Sequence, residues 1–93
     1  MKYFVYILIS SVDNSYYIGQ TSDLKTRIKR HNQGNIKPTK SKKPYRLAYF
    51  EEYETRSGAM FREWEIKKKC NTERRTKLVN SFDNDKLIEY SGL

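Results

Sequence analysis

Cysteine is almost missing. Cys70 is the only one in 93 residues, so no internal disulfide can form and a disulfide-stapled secreted scaffold is excluded. Histidine is as scarce. His31 and Cys70 alone cannot furnish a zinc finger or a zinc deaminase centre. Four glycines make neither a P-loop nor a nicotinamide fingerprint. No stretch approaches the roughly 18 apolar residues of a membrane span. The run from Tyr3 to Ile9 is short, holds two tyrosines and lacks a small-residue cleavage site, so it reads as structure and not as a signal peptide. A cytoplasmic protein without membrane contact is expected. The length allows one domain over residues 1–93 and no separate regulatory unit. A chain this short buries only about 60 to 65% of its unfolded surface, enough for one small core.

Acid is missing from one long stretch. Between Leu24 and Phe50 there is no Asp or Glu, while Lys25, Arg27, Lys29, Arg30, Lys37, Lys40, Lys42, Lys43 and Arg46 are all cationic. A second basic cluster gathers Lys67, Lys68, Lys69, Arg74, Arg75 and Lys77. The whole chain carries a formal charge of +8 with a pI near 9.6. Such a balance favours polyanions, either nucleic acid or an anionic membrane surface. A one-signed region this large exceeds what solubility requires and points to phosphate-backbone contact. Contacts of that kind position a nucleic acid without reading its bases.

Aromatic residues make up 14% of the chain, with eight tyrosines, which argues against disorder despite 32% charged residues. Tyr3 to Ile9 is apolar on both faces of a period-two pattern, the mark of a buried strand. Asp13-Asn14-Ser15 is turn chemistry, and Tyr16 to Gly19 completes a hairpin. Thr21 and Ser22 are N-cap candidates for a helix that begins at Asp23, ends near Asn32 and is stopped by Gly34. Gln33 to Pro44 reads as a polar functional loop, mobile in the free protein. Tyr45 to Tyr53 is a third strand. Helices follow from Ser57 to Lys69 or beyond and from Arg74 to Asn80, with one more turn or frayed chain after Asp83. The order β-β-α-β-α-α makes a small α/β (α+β) fold: a three-stranded, mainly antiparallel sheet flanked by helices.

Helix spacing sorts the candidate site residues. Leu24, Ile28 and His31 share one stripe of the first helix, with Arg27 beside it. Arg27 and His31 therefore project from the margin of the buried face. The plain reading is a snorkelling Arg27 and a His31 cation at the helix C-terminus. On the second long helix Ala59, Glu63, Ile66 and Cys70 share a stripe, so a carboxylate interrupts an apolar face. Either Glu63 forms a core-edge salt bridge with Arg27 or Arg62, or it ligates a divalent cation. Phe61 and Trp64 lie off that stripe and pack on the third helix or form a dimer contact. Tyr6 sits mid-strand with Phe4 and Leu8 on its side. Tyr17 precedes Gly19, which permits close backbone approach by another strand or a ligand. Tyr3, Tyr16, Tyr45, Tyr49 and Tyr53 read as packing residues.

Taken in order, Tyr6, Tyr17-Ile18-Gly19, Thr21, Asp23-Leu24, Arg27, His31-Asn32 and then Ala59, Arg62-Glu63, Ile66-Lys67 resemble the GIY-YIG endonuclease superfamily. Within it the chain is similar to small bacterial members related to the Slx-type structure-specific nucleases. The resemblance covers roughly residues 3–82. It implies that Tyr6 and Tyr17 are active-site tyrosines, that Arg27 binds the scissile phosphate, that His31 takes part in proton transfer, and that Glu63 holds Mg²⁺ or Mn²⁺. The first motif half here reads Phe4-Val5-Tyr6 without its glycine, and Gln20 stands where some repair-nuclease relatives have lysine. The function implied is metal-dependent hydrolysis of DNA phosphodiester bonds in duplex or branched DNA, linked to repair or recombination. Lys25, Lys29, Arg30, Lys37, Lys40, Lys42 and Lys43 would contact the nucleic acid. A nucleic-acid-binding module that cuts little on its own is the alternative, with a protein partner completing it. Oligomeric state, substrate shape and the choice between the tyrosines as base are open on sequence.

Overall fold

β1 (Tyr3–Ser10) lies between β2 (Tyr16–Thr21) and β3 (Tyr45–Tyr53) in a fully antiparallel sheet of order β2-β1-β3. This is a computed structural model, and it describes residues 1–88. The central place of β1 follows from its sequence, since a strand apolar on both faces must be covered on both. Phe4, Tyr6 and Leu8 face Leu24 and Ile28 of α1 (Leu24–Asn32). Val5 and Ile7 face Ala59 and Ile66 of α2 (Arg56–Lys68) together with residues of α3 (Thr72–Asn80). A register shift opposite Ile7 and Leu8 accommodates one extra residue on β3. α4 (Asn84–Ile88) supplies the further turn of helix expected after Asp83; the remainder of that expectation lies outside the described residues.

The predicted element order is the observed one, with three corrections in detail. α1 is capped by Asp23, whose carboxylate accepts from the Thr26 N–H at 3.2 Å. Thr21 serves one step back, its hydroxyl accepting the Asp23 N–H at 3.1 Å, and Ser22 is exposed.

The loop after α1 is not featureless. Lys37–Lys42 forms a 3-10 helix with Thr39 buried beneath it. Ser10 Oγ donates to the Lys42 carbonyl at 2.6 Å, and the Ser11 N–H donates to Pro44 O at 2.8 Å. These bonds tie the segment to the β1–β2 turn, where sequence composition alone suggested an irregular loop.

Phe61 and Trp64 are not buried by α3. They are 61% and 46% exposed on the outer face of α2.

Two polar clamps set the helices against the sheet. Asn32, at the end of α1, accepts the Tyr45 N–H at 2.6 Å and donates to Tyr45 O at 3.0 Å. On the other face Glu51 of β3 accepts from both Tyr49 and Tyr53 hydroxyls and from Arg62 Nε at 3.1 Å. Burial, and the carboxylate beside it, raise the Tyr53 hydroxyl to about 12. Arg62 therefore fixes the rotation of α2, and with it the direction in which Glu63 points.

Candidate active site

The site grows from one close approach in the β1–β2 hairpin. Tyr6 and Gly19 are directly opposite each other. A Cβ on Gly19 would lie 2.5 Å from Tyr6 Oη and 2.7 Å from Cζ. The Tyr6 ring thus lies on bare glycine backbone, which is what only glycine permits there. Tyr17, two residues back, projects from the same face of β2, its ring 6.4 Å from that of Tyr6. From the opposite side α1 delivers His31, drawn fully into the core by the stripe it shares with Leu24 and Ile28.

Hydrogen bonding fixes the state of His31. Thr39 Oγ1 donates its single proton to Ile36 O at 3.2 Å. It therefore accepts, at 2.8 Å, from His31 Nδ1–H. With Nδ1 protonated in a neutral ring, Nε2 is the acceptor, and Tyr6 Oη donates to it at 2.9 Å. Burial first, then the Arg27 and Arg30 charges, lower the histidine to about 4. It is a neutral, doubly bonded ring, not the helix-terminal cation of the plain sequence reading. Tyr6 is held well above its ordinary value, first by burial and then by the proximity of Tyr17; Arg27 works against this and Glu63 adds to it. The Tyr17 ring stands edge-on to His31 at 4.8 Å. Tyr17 is half-buried, whereas Tyr6 is 1% exposed.

The buried neutral histidine makes stability acid-sensitive. Its folded pKa, about 4, lies below the unfolded value of about 6.5, so the unfolded chain takes up the proton first. Stability is full above pH 6.5 and falls as pH drops toward 4. Urea unfolding at pH 7.5 and 4.5 is expected to differ by about 2–3 kcal/mol from this source. Most of that difference should vanish in His31→Gln.

Arg27 is half-buried at the rim, and its charge reaches both Tyr6 and His31. It makes no ion pair among the described residues. Glu63 comes from the helix on the opposite face of the sheet, yet its charge also acts on Tyr6. Neither bridge expected for Glu63 forms. Its partner is Lys67 at 2.9 Å, one turn along α2, because Arg62 is engaged by Glu51 and, at 3.5 Å, by Glu65.

Among the described residues no three His, Cys, Asp or Glu side chains cluster as a metal cage. One carboxylate still suits Mg²⁺, which retains several waters and takes further oxygens from a phosphate substrate. Glu63 is the residue that would hold such an ion once Lys67 turns aside.

Lys25, Lys29, Arg30, Lys37, Lys40, Lys42 and Lys43 are all exposed. They lie on α1, on the 3-10 segment and, for Lys43, just after it, so the basic surface adjoins the Tyr–His–Arg cluster. Lys42 differs from the rest in pairing with Asp13 at 3.2 Å, an acid contributed by the hairpin turn. The residue that sequence reasoning missed is Thr39. The visible hint was Ile36 in an otherwise lysine-rich segment, an apolar anchor with a hydroxyl one turn later.

Residues 2–78 match the family model of the GIY-YIG catalytic domain, and the chain belongs to that family, a class of nuclease domains. The more particular likeness is to UPF0213 proteins. Those of Staphylococcus aureus strains Mu3 and N315 are each 47% identical over 67 residues, covering 71% of this chain and 80% of theirs. The solution NMR structure of a UPF0213 protein from Bacillus halodurans superposes with a TM-score of 0.55 at 34% identity. That match covers 86% of this chain and 84% of the other. No helix among the described residues is long and apolar enough to cross a membrane.

Proposed function

We propose that the protein is a metal-dependent endonuclease that hydrolyses DNA phosphodiester bonds at the Tyr17–Arg27–Glu63 rim. The observation that carries this reading is the grouping of both tyrosines, His31 and Arg27, which has no ion pair among the described residues, beside the basic surface of α1 and the 3-10 segment. Hydrolysis needs a water placed in line with a leaving oxygen and cationic groups where negative charge develops. Arg27 offers a planar donor fork to the scissile phosphate. A divalent ion on Glu63 would supply Lewis-acid stabilisation of that phosphate and its leaving group.

Burial divides the labour between the tyrosines. The Tyr6 hydroxyl is enclosed, committed to His31 and resistant to ionisation. Tyr17 has no hydrogen-bond partner among the described residues and reaches solvent, so it meets the attacking water and takes up that water's proton while passing its own hydroxyl proton to solvent. Tyr6, His31 and Thr39 form a positioning chain behind it. The phosphate backbone lies along Lys25, Lys29, Arg30, Lys37, Lys40 and Lys43, with Lys42 joining when it releases Asp13. Branched repair intermediates are the substrates in view.

In single-turnover cleavage with Mg²⁺, Tyr17→Phe is expected to lower the rate by roughly 10²–10⁴-fold, the usual worth of a positioned base. Tyr6→Phe should unfold more easily and lose less rate. Equal rates for wild type and Tyr17→Phe would defeat the assignment. The second reading, a binding module completed by a protein partner, draws on the Glu63–Lys67 ion pair, which occupies the carboxylate assigned to the metal. It predicts salt-sensitive DNA binding with no metal-dependent product.

A further inference from the structure

The outer face of α2 carries an apolar surface that is largely exposed among the described residues. Met60, Phe61 and Trp64 are 51%, 61% and 46% exposed. The Phe61 and Trp64 rings are stacked, with centroids 5.9 Å apart and planes within 28°. Lys69 Nζ stands 5.4 Å from the Trp64 ring centre. Ala59 and Ile66 point the other way, into the core, so this face is not a misplaced core stripe.

Size and charge identify the occupant. The exposed parts of three such side chains come to roughly 300 Å², well short of the ~800 Å² per partner of a stable protein interface. That suits a small flat group better than a second copy of the chain. The surroundings are basic: Lys67, Lys68 and Lys69 follow directly, and Arg75 is held against the end of α2 by bonds to Ile66 O and Lys67 O at 3.2 and 2.9 Å. The nearby acids are occupied, Glu63 by Lys67 and Glu65 by Arg62. Parallel aromatic planes in a cationic field are the two components by which proteins hold unpaired nucleotides, stacking for the base and charge for its phosphate. Bases inside a duplex are already stacked and present only their edges.

We propose that the Phe61–Trp64 pair is a stacking platform for an unpaired base of single-stranded DNA. It rests on the nuclease reading in one respect: Trp64 lies about 100° around α2 from Glu63, so the platform would take a strand that passes around the helix from the scissile bond. A substrate with an unpaired segment next to the cut is then favoured over continuous duplex.

Trp64 is the only tryptophan, so its fluorescence reports the platform directly. Titration with oligothymidylate, without metal, is expected to quench it, and blunt duplex at equal phosphate is expected not to. Trp64→Leu and Phe61→Ala, both at exposed positions, should bind the oligonucleotide about tenfold more weakly. Their duplex affinity and thermal unfolding should be unchanged. Quenching should persist in Glu63→Ala, so loss of cleavage and loss of stacking are read separately. Binding of oligothymidylate without quenching, wild-type affinity in Trp64→Leu, or a concentration-dependent blue shift from self-association would each overturn the proposal.

Discussion

Gly19→Ala is expected to abolish cleavage and to destabilise the fold by about 1–3 kcal/mol, the usual range for overpacking. The added Cβ would fall 2.5 Å from Tyr6 Oη, far inside van der Waals contact. Two elements could yield. If the Tyr6 ring swings away, its hydroxyl leaves His31 Nε2, and the buried imidazole nitrogen loses its partner, which adds an unsatisfied polar group to the core. If the β1–β2 pairing opens instead, Tyr17 and Ile18 shift with β2. Either way the arrangement of Tyr6, Tyr17 and His31 is lost, so activity falls further than stability. Urea unfolding and single-turnover cleavage of the same preparation separate the two effects. A Gly19→Ala protein with wild-type stability and rate would mean that the close approach has no role.

Much of this was legible beforehand. The doubly apolar pattern of β1 announced a buried strand, because a strand with one solvent face would alternate. The stripe of Leu24, Ile28 and His31 placed His31 beside the sheet, and Gly19 marked a close approach. What spacing could not supply was depth. His31 was expected at a margin and is wholly enclosed, because the 3-10 segment folds over it and Thr39 satisfies its second nitrogen. That closure depends on contacts between Ser10, Ser11, Lys42 and Pro44, residues distant in sequence and bland in composition. The partner of Glu63 was hidden for a similar reason: Glu51, on β3, takes Arg62 away, and only the sheet brings Glu51 to α2. The exposed Phe61–Trp64 pair shows the converse limit, since an apolar residue off the core stripe gives no sign of whether another helix reaches it.

Glu63→Ala carries the second large effect. The variant removes the carboxylate that the proposal assigns to the divalent cation. Stabilising the developing charge with such an ion is worth several kcal/mol, so a loss of roughly 10³-fold or more is expected. The fold should survive, since Glu63 is paired only with Lys67 along its own helix. DNA binding without metal should be equal or slightly tighter, because a negative charge leaves the basic surface and Lys67 is freed. A nearly complete loss of rate with retained binding distinguishes chemistry from recognition at this residue.

The most direct test is cleavage of end-labelled duplex, flap and branched DNA by wild-type protein and Glu63→Ala, with Mg²⁺ or Mn²⁺ and after chelation. Products that require the metal and disappear in Glu63→Ala are the predicted result. Tight binding by both proteins with no product under any condition would contradict the nuclease account and leave the domain a nucleic-acid-binding module.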